Sequence, residues 1–272
     1  MSETLAERAA SFIADTKNRN HSPAVVDLAK RCLVDWMGVA VGASGEPVSR
    51  TVVDSALAWG ARGKARILLG ERTTPALAAL ANATMGHALD FDDTRGHAPS
   101  HLSSPSWAAA LAVAEHRSQD GAAALGAFIT GYEISAVLGD VMVGDVMGGE
   151  SGFGNLMQGA GFHPTGVFGR LSAAAATAVL MGCDRDQIVN ALAAAATMGG
   201  GLTASFGTMA KPLHSGKAAM DGVHAAELAA RGFVAARDVF EAPGGFANAF
   251  VQTATAQFDD VAFSPGESLF DN

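Results

Sequence analysis

Along most of this chain apolar residues recur at three- and four-residue spacing, the period of an amphipathic helix rather than of a strand. Leu5 to Thr16 is a short segment of this kind. Ser22-Pro23 is a start signal, a capping serine before a first-turn proline, and Val25, Leu28, Ala29, Cys32, Leu33 and Trp36 then form one stripe. Helices are expected at Val48 to Trp59, Ser106 to His116, Ala122 to Leu138, Gly166 to Met181, Asp184 to Thr197 and Gly216 to Arg231, with another opened by Thr74-Pro75. Between them, the turn-rich interval Gly60 to Thr74 has room for one short extended segment at Ala65 to Leu69. Neither regular strand alternation nor a βαβ rhythm is present. The pattern predicts an all-α, multi-helix bundle-like fold of roughly eight to ten helices.

Glycine punctuates this pattern in two places. The Gly/Met-rich segment Gly139 to Gly166 reads as a loop-rich insert leading to His163, and Gly199-Gly200-Gly201 ends an alanine-rich helix. Neither run fits a phosphate loop or a dinucleotide fingerprint.

Composition narrows the function classes. The formal charge of -9, with no basic run, argues against nucleic acid. Only 17% of residues are charged, an apolar balance that goes with oligomerisation. Cys32 and Cys183 stand alone in apolar helical contexts and read as reduced core thiols. No stretch of about eighteen uninterrupted apolar residues offers a membrane span. The acidic N-terminus does not read as a signal peptide, so a cytoplasmic protein is expected.

Three groups of residues carry candidate chemistry. In His87-Ala88-Leu89-Asp90-Phe91-Asp92-Asp93-Thr94, three carboxylates, a hydroxyl and an imidazole follow an alanine-rich helix that has no structural need for them. Helical spacing predicts His87, Asp90 and Thr94 on one face, with His97 and His101 on the following loop. Its structural alternative is a wet helix end, with Asp92 and Asp93 solvated and His87 a core histidine. Gly161-Phe162-His163-Pro164-Thr165-Gly166 sets a histidine just before a helix start, whose free N–H groups favour a carboxylate. The alternative is a loop histidine capping its own helix. Lys211-Pro212-Leu213-His214-Ser215-Gly216-Lys217 brings cationic groups to another helix start, as a carboxylate clamp or an acid–base lysine. Solvated lysines are the alternative, and the better reading for Lys217. His21, His116 and His224 read as surface residues, and Tyr132 as core. A metal is not expected, because the Asp-rich segment has no second acidic motif to face it and no HExxH geometry.

Taken in order, HALDFDDT from His87, His101-Leu102-Ser103, Gly131-Tyr132-Glu133, GFHPTG from Gly161 and KPLHSGKAA from Lys211 resemble the MmgE/PrpD family. That family includes 2-methylcitrate dehydratase, cis-aconitate decarboxylase and iminodisuccinate epimerase. The resemblance runs from the N-terminal helix to Gly244-Gly245-Phe246. It implies a small di- or tricarboxylate substrate, no metal or organic cofactor, and proton transfer at a carbon next to a carboxylate. Motif by motif, it assigns catalytic roles to Asp90, Thr94, His101, His163 and Lys211, and substrate binding to His87, Asp93, Thr165 and His214. The pattern departs in two details: Leu102 follows His101, and the segment before His163 is roughly ten residues longer than in the family.

The resemblance also implies a second, α/β lid domain carrying another lysine and a tyrosine. Residues 1–250 are therefore expected to form the helical domain, and 251–272 a tail where the lid would start. The expected protein is a homodimeric, cofactor-free lyase acting on a small polycarboxylate, with no nucleic-acid or membrane partner. Dehydration of a 2-methylcitrate-like substrate leads, with decarboxylation and epimerisation as alternatives. A truncated, catalytically silent dimeric scaffold is the reading from a different class.

Overall fold

The computed structural model describes residues 3–96, 99–143, 156–251, 258 and 261–271. Among these, eleven α-helices account for nearly all regular structure, in agreement with the all-α expectation. They are α1 (Leu5–Ala14), α2 (Pro23–Gly42), α3 (Pro47–Ala58), α4 (Pro75–His87), α5 (Ser103–His116) and α6 (Gly121–Val143). After these come α7 (Leu156–Gly159), α8 (Pro164–Met181), α9 (Arg185–Thr197), α10 (Ala210–Ala230) and α11 (Phe246–Val251). The start signals work as expected. Ser22 Oγ accepts from the Val25 N–H, and prolines open α2, α3, α4 and α8 in their first turns.

Instead of one extended segment, residues 60–74 hold a two-residue hairpin, β1 (Ala65–Arg66) against β2 (Arg72–Thr73), antiparallel with Ala65 opposite Thr73. The Asn82 side chain of α4 holds it, accepting from the Leu68 N–H at 2.8 Å and donating to the Arg66 carbonyl at 2.9 Å. The expected glycine-rich insert is only partly described. Residues 139–143 continue α6, 156–159 form α7, 160–166 lead into and open α8, and 144–155 lie outside the described residues, as does His97.

Alpha-helices α4, α5, α8 and α10 form the centre, with α6 and α9 laid against α8 and α2 against α4. Their facing surfaces are mostly alanine and glycine, so backbones approach closely. At Gly216 of α10 a Cβ would lie 2.0 Å from Thr84 Oγ1 and 2.5 Å from the Leu80 carbonyl of α4. Only glycine allows that crossing, and it brings the start of α10 beside the end of α4. Larger side chains fill the flanks: Trp107 stacks on Phe128 at 4.1 Å, with Trp36, Tyr132 and Phe168 fully buried. Helix α6 is long and apolar enough to cross a membrane by length and composition, but here it is a largely buried core helix.

The last described segment packs back on the bundle. Glu133 of α6 accepts the N–H groups of Ser264 (3.0 Å) and Ser268 (3.1 Å). Burial pushes its carboxyl pKa up, more than these bonds lower it. Arg95, 1% exposed, joins Asp140 through two bonds (2.6 and 2.7 Å) and Asp271 through a third at 3.1 Å. The loop after the Asp-rich segment is thereby fixed to α6 and to the C-terminal turn.

Candidate active site

Helix α4 stops at His87, so the predicted continuation through Thr94 is not made. Asp90 takes a left-handed conformation, φ +54°, which turns the chain out of the helical path. His87, Asp90 and Thr94 therefore do not share a helix face. A loop that curls back over the helix end brings them together instead.

Asp92 lies at the centre of that loop. Its carboxylate accepts from His87 Nδ1 at 2.9 and 3.1 Å and lies 3.4 Å from His101 Nδ1. The His87–Asp92 pair is fully buried. Burial alone would raise the Asp92 carboxyl, but the His87 and His101 imidazoles outweigh it and hold Asp92 well below the carboxylate range. His101 Nδ1 also meets the Asp92 carbonyl (3.0 Å) and Thr94 Oγ1 (3.2 Å), and its Nε2 is 3.6 Å from Asp90. The His101 N–H donates to Thr165 Oγ1 at 3.0 Å, which ties this loop to the start of α8. Burial lowers the His101 pKa and Lys211 adds to that; Asp92 and Asp90 more than compensate, and the net shift is upward.

His163 caps α8 in an extended conformation without a side-chain cap. Its backbone N–H donates to the Gly201 carbonyl, and the Thr203 N–H to the Gly161 carbonyl, each at 2.9 Å. The Gly199–Gly201 run thus clamps the GFHPTG segment. Gly166 sits under it, where a Cβ would lie 2.4 Å from the Gly200 carbonyl. His163 Nδ1 meets His214 Nδ1 at 3.1 Å, and the His163 ring stacks near His87, centroids 5.8 Å apart. Burial, and then electrostatic repulsion from His87, His214, Lys211 and His101, pushes the His163 pKa down to about 2. His214 is also lowered, by burial and then by His87 and Arg170.

Helix α10 begins at Ala210, six residues earlier than its apolar period suggested, so Lys211 lies inside its first turn. Lys211 Nζ is ion-paired with Asp90, and burial of that carboxylate is outweighed by the lysine, so Asp90 is lowered. Lys217 is exposed and pairs with Asp221 one turn on, as its structural reading expected. Behind it, buried Arg170 of α8 joins Asp221 (3.0 Å) and the Gly166 carbonyl (2.8 Å), locking α8 to α10.

Eight of the nine residues picked out in the sequence thus lie in one network: His87, Asp90, Thr94, His101, His163, Thr165, Lys211 and His214. Asp93 is bonded elsewhere, accepting from Ser103 Oγ while its N–H donates to Asp35 at 3.0 Å. A cavity of about 430 Å³ opens beside the network, lined by His87, Asp90, Lys211 and Pro212 facing Glu46 and Val48. Inside the cluster, His87 Nε2 is buried and has no hydrogen-bond partner among the described residues.

Two contributors were not singled out in the sequence. Asp92, given no site role and with solvation as its structural alternative, is 4% exposed while its neighbours Leu89 and Phe91 are 45% and 81% exposed. Hydropathy points the wrong way here, so no pattern could have found it. Phe206 meets the His163 ring edge-on at 4.9 Å and lies 5.1 Å from Lys211 Nζ, with no signal beyond being aromatic. Among the histidines set aside as surface, His224 is exposed, but His21 and His116 are half-buried.

Chemically, the network joins a cation that can hold a carboxylate, an imidazole biased towards its charged form and an imidazole held neutral. His87, Asp90, Asp92 and His101 also offer ligand atoms within 4.8 Å of one another, a donor set that suits a divalent transition ion. The Lys211 ammonium against Asp90 opposes a cation there.

The MmgE/PrpD N-terminal domain family matches residues 7–259 of this chain. A cis-aconitate decarboxylase-like protein of Aspergillus oryzae is 30% identical over 253 residues, covering 89% of this chain and 50% of that protein. Cis-aconitate decarboxylase of Aspergillus terreus is 29% identical over 238 residues, covering 84% and 46%. The Mus musculus cis-aconitate decarboxylase is 27% identical over 252 residues, covering 90% and 49%. This chain spans about half the length of the curated relatives it matches. With helical architecture, motif order and matched range in agreement, the chain belongs to the MmgE/PrpD family.

Proposed function

We propose that this chain carries the acid–base half of a lyase site for a small di- or tricarboxylate. The observation that carries the reading is the pair of histidines on either side of His87 with opposed shifts: His101 raised by Asp92 and Asp90, His163 pushed down to about 2. Two titratable groups driven apart in one site mark an acid and a base.

A polycarboxylate fits this charge pattern. Lys211 would exchange Asp90 for a substrate carboxylate, and the free N–H groups at the start of α8 would take another. Substrate charge would also offset the cations that depress His163, so binding would raise its basicity towards the useful range. In a decarboxylation, the bond from carbon to one carboxylate breaks, CO2 leaves, the electron pair stays with the substrate's carbon skeleton, and His101 delivers a proton to that substrate carbon. In a dehydration, His163 takes the proton next to a carboxylate while His101 protonates the departing hydroxyl. The names of the relatives favour cis-aconitate as the first substrate to test, ahead of the 2-methylcitrate dehydration that led the sequence reading. A homodimer remains part of the proposal, supported by exposed apolar residues such as Phe91, Leu202 and Met209 around the site.

The test is NMR of the protein in D2O with cis-aconitate, 2-methylcitrate, citrate and iminodisuccinate in turn, following product formation and deuterium incorporation. Turnover or exchange on one of them, lost in His163→Ala and in Lys211→Met, is expected. A folded protein that neither binds nor exchanges any of the four would refute the catalytic reading and leave the silent scaffold.

A further inference from the structure

A second cavity, of about 260 Å³, lies where the end of α1, the first turns of α6 and the last turn of α8 meet. It is about 24 Å along α8 from His163, at 1.5 Å per residue. Lys17, Arg19 and His21 line it together with Thr16 and Gln119, and among the described residues no carboxylate lines it. In a chain with 27 acidic residues against 18 lysines and arginines, a lysine, an arginine and a histidine around one small cavity are unexpected.

Arg19 is held in place from three sides. Its guanidinium lies 3.8 Å above the Phe12 ring, Nη2 donates to the Phe12 carbonyl, and Nε is 3.7 Å from Asp15. That leaves Nη1 buried without a partner among the described residues, and His21 Nδ1 is likewise buried and unpartnered there. Unpaired buried donors are rare and costly in a folded protein, so each asks for an acceptor. Burial, then Arg19, lowers the His21 pKa; burial lowers Arg19 too, against the attraction of Asp15 and Glu133. Three nearby acceptors are already used. Asp15 faces Arg19, Asp120 takes the Ala123 N–H at 2.9 Å, and the Leu180 carbonyl takes Gln119 Nε2 at 3.0 Å. The cavity also adjoins the N-terminal turns of α6, the positive end of that helix dipole. Gly126 leaves the space open, since a Cβ there would come no nearer than 4.0 Å to His21 Nε2 and Thr16.

We infer that this cavity is a second binding site, for a small oxyanion, with Arg19, His21 and Lys17 supplying the donors and α6 the favourable dipole. The volume suits a single phosphate or a small carboxylate rather than a nucleotide.

Histidine side-chain NMR tests this directly. The protein is titrated with inorganic phosphate in one arm and citrate in another, following the His21 ring resonances. Saturable shifts are expected, with a dissociation constant in the millimolar range or below, and with the His21 titration midpoint moving to higher pH as the anion binds. Gly126→Leu fills the cavity and replaces a helical glycine by a better helix former, so it is expected to stay folded. It should weaken binding roughly tenfold or more, and Lys17→Gln roughly threefold. Phosphate binding tighter than citrate assigns a phosphate site, and the reverse order a carboxylate site; either supports the inference. Resonances of His21 that ignore both anions, or that respond equally in folded Gly126→Leu, overturn it.

Discussion

Replacing Asp92 by asparagine keeps the shape of the side chain and one acceptor for His87 but removes the buried charge between two imidazoles. At the 3.4 Å separation from His101, the gross attraction of a charged pair is roughly 5 kcal/mol at an effective dielectric of about 20. Desolvation of both groups offsets most of that, and a charge-assisted hydrogen bond nets about 1.5–3 kcal/mol. At about 1.4 kcal/mol per tenfold, the proton affinity of His101 falls by roughly ten- to a hundredfold, which is the upper bound on the fall in its protonated share near neutral pH. Activity on the accepted substrate should drop within that bound. The sign of the pH effect is specific. Losing Asp92 lowers the His101 pKa, so the alkaline limb of kcat/KM should move to lower pH and part of the rate should return on acidification. A merely structural role for Asp92 would lower activity through stability without moving that limb. The assay is a pH–rate profile of Asp92→Asn beside a thermal melt. Full activity with an unmoved profile in a variant that melts normally would sink the assignment of His101 as the acid.

Two further outcomes follow from the same geometry. Because the folded-state pKa of His163 is depressed from 6.5 to about 2, the unfolded chain binds a proton there first as pH falls. The stability contributed by the neutral ring is full above pH 6.5 and declines below it, by about 2 kcal/mol on reaching about pH 5; a His163→Leu variant should show a flatter acid arm in urea melts than the parent, and an identical arm would contradict the burial argument. At Gly216, alanine would press a methyl against the Leu80 carbonyl of α4, so Gly216→Ala should cost about 1–3 kcal/mol and weaken substrate binding by displacing Lys211 and His214; a calorimetric melt equal to the parent's would refute the close crossing.

Much of the helical framework could be read from the chain because apolar period and capping chemistry agree there. Ser22-Pro23 and Thr74-Pro75 start helices as their chemistry requires. Boundaries failed where tertiary contacts override local pattern. Helix α4 ends at His87 because the following loop buries Asp92 against two imidazoles, and α10 starts early around the Lys211–Asp90 pair. Candidate residues were legible as unusual chemistry in unusual places, and motif order brought them together. What could not be read was which carboxylate is buried. In the run Asp90, Asp92, Asp93 the three differ by loop geometry alone: one pairs with Lys211, one with two histidines, and one with Ser103. Opposed protonation of His101 and His163 depends on those contacts and has no trace in sequence.

That opposition is the centre of the account, and heteronuclear NMR of the imidazole nitrogens measures it most directly. Across a pH series, His101 should stay charged above the ordinary histidine range while His163 stays neutral far below it, and cis-aconitate should raise the His163 midpoint. If both rings titrate together near the unperturbed value of 6.5, with or without the polycarboxylate, the acid–base reading of this site is contradicted.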